Sequence, residues 1–164
     1  MKLDVNNQFI YLIQAIEAFH RRFCENKYMD DSIYRKEVYC KLVGAIPDEI
    51  DSDFKHSLKS RLNYGNEFSL RRRLKDILSK NQSLSSRLIK DSSEFIGNVV
   101  DTRNYLTHYD NGLLSKAISG VELYYINRRL QILMITLLLS VMGIDEGRSL
   151  QMIARCRKFY KMLQ

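Results

Sequence analysis

The 164-residue chain holds a single proline, seven glycines and no tryptophan. So few turn-formers exclude an all-β architecture, which needs many tight turns. The cysteines Cys24, Cys40 and Cys156 are odd in number, widely spaced and without a CxxC pair. That speaks against a disulfide framework and for a reducing, cytoplasmic setting. His20, His56 and His108 do not fall into zinc-site spacing with them, so neither a metal nor a cofactor is expected. The N-terminal MKLDVNNQF carries an acid and amides where a secretory signal would be apolar. The most apolar stretch, 130–144, is interrupted by Gln131, Thr136, Ser140 and Gly143. It falls short of the roughly 20 residues a membrane span needs and reads as a buried core helix. Repeats and Gly/Ser/Pro-rich linkers are also missing, so 1–164 reads as one domain.

What is abundant is positive charge. Lys and Arg number 26 against 19 acids, a formal charge of +7. Such an excess favours anionic partners, nucleic acid ahead of an anionic membrane, unless the chain is simply a basic soluble protein. Hydrophobic residues make up 45%, enough for a real core.

Their spacing is helical. Phe9, Leu12, Ile13, Ile16, Phe19 and Phe23 recur at i, i+3, i+4, i+7 and predict a first helix over 5–24. Asp30 and Asp31 offer caps to a second carrying Ile33, Val38, Tyr39, Leu42 and Val43, which Pro47 ends. A third holds Phe54, Leu58 and Leu62 and stops at Gly65; a fourth carries Leu70, Leu74, Ile77 and Leu78. Asp91 and Glu94 have capping-box spacing for a fifth helix, which the Asp110-Asn111-Gly112 turn closes. Ser119 and Glu122 repeat that spacing for a long sixth ending near Gly143. A seventh from about Asp145 carries Leu150, Ile153, Ala154 and Cys156 and ends basic, with Arg155, Arg157, Lys158 and Lys161. No period-2 strand stands out. The expectation is an all-α, irregular bundle of six to seven helices.

The fifth helix breaks its own pattern. At 100° per residue, Phe95, Ile96, Val99, Val100 and Leu106 share an apolar arc, and Arg103 falls inside it. A charge there must snorkel, pair with an anion or meet a second surface. Asn104 and His108, at i, i+4, share the adjoining polar face. Arg103 and His108 lie roughly 140° apart and cannot point in parallel, though a second copy of the helix across a two-fold axis could wrap them into one cleft.

Arg103-Asn104-Tyr105-Leu106-Thr107-His108 resembles the R-x4-6-H motif of HEPN domains in its RN-x3-H form. Residues 9–21 (FIYLIQAIEAFHR), 62–71 (LNYGNEFSLR) and 122–130 (ELYYINRRL) resemble the ApeA-like HEPN group of phage-defence proteins, in the expected order. The resemblance implies a helical homodimer joined through the motif helix and acting as a metal-independent endoribonuclease in antiviral, abortive-infection defence. By that resemblance His108 is the general acid or base, Arg103 stabilises the phosphorane charge and Asn104 orients the histidine or a phosphate oxygen. It also implies a sensor region N-terminal to the HEPN part, which would make this chain the C-terminal part of a larger protein or a stand-alone relative. Some HEPN toxins read H-x-Y after the motif; here Tyr109 follows His108 directly.

Three further groups have two readings each. Glu17 and His20, i, i+3 on the first helix, are a solvated pair or a support beneath Arg103. Arg71, Arg72 and Arg73 are a solvated helix face or an RNA-backbone contact, and so are the basic residues of the last helix, Arg155, Arg157 and Lys158. The rival to an enzyme is a non-catalytic HEPN module that dimerises and binds RNA or a nucleotide. A basic DNA-binding regulator is weaker, because no helix-turn-helix signature is visible.

Overall fold

The computed structural model describes residues 4–159. These residues form α1 (Val5–Phe23), α2 (Asp31–Ile33), a π-helical segment (Tyr34–Tyr39), α3 (Cys40–Gly44), α4 (Ser52–Asn63), α5 (Leu70–Lys80), α6 (Gln82–Leu88), α7 (Ser92–His108), a 3-10 turn (Asn111–Leu113), α8 (Gly120–Val141) and α9 (Glu146–Ala154). The fold is all-α; extended pairing among the described residues is limited to one isolated bridge, Lys27 to Glu67. The chain divides into two compact units, one drawn from the residues up to Cys24 and from Leu70 onward, the other from Glu25 to Ser69.

In the larger unit α1 packs chiefly on α8. Phe9, Ile13 and Ile16 of α1 and Leu123, Ile126, Leu130, Leu133 and Leu137 of α8 are buried in one core. Each such side chain contributes roughly 1.5–3 kcal/mol by leaving water. Aspartates start several of these helices as the sequence suggests. Asp4 caps α1 through the Asn6 N–H, and Asp145 caps α9 through the Arg148 N–H. Ser119 does not cap α8: its side chain makes no capping bond, and Gly120 enters the helix at φ +57°. That left-handed step carries the serine hydroxyl away from the N–H groups it was expected to satisfy.

Helix α6 is an addition to the helices expected from the sequence; Leu84 and Leu88, one turn apart, bury it. Helix α9 stops at Ala154, so Cys156, Arg155, Arg157 and Lys158 follow the helix instead of ending it. Lys161 lies outside the described residues. Of the apolar stretch 130–144, the part up to Val141 belongs to α8; Leu130, Ile132, Leu133 and Leu137 are buried, whereas Leu138, Val141 and Met142 are exposed, so the stretch is only in part the buried core helix expected of it. Among the described residues no helix is long and apolar enough to cross a membrane. All three cysteines are free thiols.

The smaller unit is organised around Tyr34, whose buried hydroxyl donates to the Leu62 carbonyl at 2.5 Å. A Cβ on Gly65 would run into that hydroxyl, so the glycine serves a close approach instead of the left-handed helix stop expected of it. Asn66 is buried with both amide ends used: it accepts from Met29 N–H and donates to Met29 C=O and Asp31 Oδ1. The expected second helix is real but carries a π turn. The wider turn brings Tyr34 and Tyr39 inward, while Ile33 and Leu42, which an unbroken 3.6 period would bury, are exposed.

Candidate functional site

Helix α7 starts where its sequence says. Asp91 Oδ1 accepts from the N–H of Ser93 at 2.7 Å and of Glu94 at 3.0 Å. Phe95, Ile96, Val99 and Thr102 face the core. Thr102 has a second task, since its buried Oγ1 accepts from the Ile118 N–H at 2.9 Å and ties the approach to α8 onto the motif helix. The helix ends at His108. Tyr109 takes the left-handed conformation, and its N–H closes the last turn on the Tyr105 carbonyl at 2.7 Å.

Arg103 meets its charge problem in two of the ways open to it. Its side chain reaches partial exposure, and one guanidinium nitrogen sits 3.9 Å from Glu17 Oε2 on α1. Another donates to Asn104 Oδ1 at 3.1 Å. An arginine can only donate, so the amide oxygen must face it and the Asn104 NH2 is turned away, available as a donor. The Glu17 oxygen stands beyond hydrogen-bonding distance, close enough to offset the cation but not to saturate its five N–H groups. His108 is exposed, and its side chain makes no hydrogen bond or ion pair to another described residue. The chain thus presents a braced cation, an outward amide and an exposed imidazole along the last turns of one helix. Such groups can bind a phosphodiester and move a proton.

Glu17 and His20 part company. Glu17 has Oε2 3.9 Å from the Arg103 guanidinium. His20 is neither solvated nor beneath Arg103. It is fully buried against α5, with Nε2 2.9 Å from Asp76 Oδ2 and Nδ1 3.4 Å from an Arg73 guanidinium nitrogen. Arg73 therefore leaves the list of RNA contacts, because it is 1% exposed and bonded inside the larger unit. Arg71 and Arg72 on the same helix, and Arg155, Arg157 and Lys158 after α9, are exposed. Burial holds the His20 pKa below its ordinary value, opposed by the hydrogen bond that the ring donates to Asp76 and reinforced by the nearby Arg73 charge.

His20, Cys24 and Asp76 bring three potential metal donors within 4.8 Å of one another. Their present engagements do not suit a cation. Arg73 must donate to His20 Nδ1, so the ring proton sits on Nε2 and points at Asp76. A metal at Nε2 would push that proton to Nδ1, against the guanidinium. Lys80 also holds Asp76 Oδ2 at 2.9 Å, and burial pushes the Cys24 thiol pKa up, away from the thiolate a metal takes. Thr102 and Asp76 were missed by sequence reasoning, since both act through contacts between elements distant in the chain.

An all-α fold carrying an Arg-Asn-x3-His set on one helix defines a HEPN-type domain. Residues 10–148 match the family described as Apea-like HEPN, most of the chain and the whole motif helix with it, and the chain belongs to that family. Comparison with curated proteins and with solved structures gives no match.

Proposed function

We propose that the protein is a metal-independent endoribonuclease whose site is Arg103, Asn104 and His108, acting as a homodimer in cytoplasmic antiviral defence. The observation that carries this reading is the grouping just described: a cation held by Glu17 and Asn104 on the same helix end as an exposed imidazole, in an Apea-like HEPN chain. His108 takes the proton from a ribose 2′-OH, and the freed oxygen attacks the adjacent phosphorus. The P–O5′ bond breaks, and the leaving oxygen takes a proton from an acid, for which the second copy's imidazole is suited. Arg103 and the Asn104 amide offset the extra charge on the phosphorane as it forms. The products are a 2′,3′-cyclic phosphate and a 5′-OH. The roughly 140° between Arg103 and His108 supports a cleft shared by two motif helices over one private to each chain.

The test is cleavage of single-stranded RNA by the purified chain in EDTA. The expected result is 2′,3′-cyclic phosphate ends, no cutting of DNA, which lacks the nucleophile, and a loss of at least about 100-fold on His108→Ala. Loss of activity on chelation, or 3′-OH ends, overturns the mechanism. RNA binding that persists in a chain that never cleaves would instead leave the non-catalytic module.

A further inference from the structure

Tyr109 is in an expensive conformation for its residue type. Among the described residues it is the one non-glycine at positive φ, 52°, with ψ 37°. Helix ends that use this conformation usually place glycine there, and sometimes asparagine, because a Cβ crowds the following carbonyl. Burial does not offset the strain, since the residue is 73% exposed. Its ring contact is Tyr105, with centroids 6.1 Å apart and planes at 62°. Strain held in an exposed aromatic beside a reactive group points to function.

The helical positions say what lies beside it. Around α7, Asn104 and Tyr105 flank His108 at about 40° and about 60° on opposite sides, with Arg103 further round past Asn104. The cation and amide lie to one side of the imidazole and the two rings to the other. A nucleotide whose 2′-OH meets His108 finds the polar amide on one side of the imidazole and the two rings on the other, so its base is placed on the ring side. We propose that Tyr105 and Tyr109 form an aromatic ledge that takes that base, with Tyr109 as the stacking face and Tyr105 as the wall against its edge. The inference rests on the ribonuclease reading and narrows its substrate: the nucleotide at the cut must be unpaired, since a base stacked in a duplex cannot reach a tyrosine face.

The experiment uses a short single-stranded RNA with 2′-O-methyl groups, which binds but cannot be cut, in EDTA, read by fluorescence anisotropy beside thermal melting. Tyr109→Gly relieves the left-handed strain and removes the ring. It is expected to melt higher than the wild type yet bind about 10-fold more weakly, within the range that base–aromatic stacking supplies. Tyr109→Phe is expected to bind as the wild type does. An oligonucleotide with every base removed should bind wild type and Tyr109→Gly equally. The proposal is overturned if Tyr109→Gly binds as tightly as the wild type, or if Tyr109→Phe loses as much as Tyr109→Gly. It is also overturned if Tyr109→Gly shifts the oligomeric state in light scattering, since the ring would then be an interface residue. Failure of the ribonuclease reading looks different: unmodified single-stranded RNA is left uncut by the wild type in EDTA, while the Tyr109→Gly loss in binding remains.

Discussion

At the scale of single residues, Asp76 carries the most consequence outside the motif. It accepts from His20 Nε2 and from Lys80 Nζ, each at 2.9 Å. Burial pushes its pKa up, but the hydrogen bonds from Lys80 and His20 together outweigh it and hold the carboxyl below its ordinary value. Removing it takes away the acceptor of the His20 Nε2 hydrogen bond. Asp76→Ala is expected to cost about 1–3 kcal/mol, read from urea midpoints at pH 7.5. The pH dependence follows from the directions of the two shifts. His20 has a lowered folded pKa, so as pH falls through about 6.5 the unfolded chain takes the proton first. Its contribution is complete above that value and declines below it. Asp76 adds a second loss further down, as pH falls below about 4. The wild type should therefore weaken between pH 7 and 5 more than His20→Gln does; equal slopes would mean that burial does not hold the imidazole neutral. Both buried polar residues were legible in part. His20 follows Ile13 and Ile16 at i+7 and i+4, and Arg73 sits between Leu70 and Ile77 at i+3 and i−4, squarely on apolar arcs. The arc test that singled out Arg103 applies to them equally. The partner Asp76 was not legible, because the pairing of α1 with α5 is a tertiary fact.

Among the elements, helix starts separate what local chemistry decides from what the chain path decides. Asp91 caps α7 with two bonds, whereas Ser119 stands before a left-handed glycine and caps nothing. Asp91→Ala is expected to cost about 1 kcal/mol, and Ser119→Ala close to nothing. Gly120→Ala, at φ +57° with open space around its Cβ, should cost about 1–2 kcal/mol through backbone strain alone. Denaturant midpoints with an unchanged slope would show all three, and a Ser119→Ala loss equal to that of Asp91→Ala would restore the serine cap. Helices with long, regular apolar arcs, α1, α5, α7 and α8, were legible along nearly their whole length. The π turn after Ile33 was not, because one inserted residue leaves the composition unchanged and only rotates which side chains face inward. Helix α6 escaped because two leucines a turn apart among serines give too short a pattern to distinguish from a loop.

For the whole molecule, the question is whether one chain can make a complete site. Arg103 and His108 diverge around α7, and the partner that holds Arg103 at rest, Glu17, lies on α1 of the same chain. The chain therefore positions its cation by itself, and in the proposed shared cleft a second copy would set an imidazole opposite. Arg103→Ala leaves Glu17 without that cation and is expected to cost about 1–2 kcal/mol, while His108→Ala, at an exposed position, should cost little. Both should remain folded, and each alone should be inactive. When the two variants are mixed and their subunits exchange at random, half of the dimers pair an intact Arg103 on one chain with an intact His108 on the other. The shared cleft of such a dimer then holds one cation and one imidazole without the second imidazole as acid, so partial recovery of activity is expected for isologous pairing. A private site predicts no recovery at all, since every chain in the mixture lacks one of its own residues. Subunit exchange has to be followed separately, by energy transfer between labelled copies, so that a flat result counts against the shared cleft and not against mixing. Such a flat result would leave the endoribonuclease standing and confine its chemistry to the groups that one α7 presents. The divergence of Arg103 and His108 would then have to be closed by the arginine bending round its own helix, away from Glu17, when RNA binds.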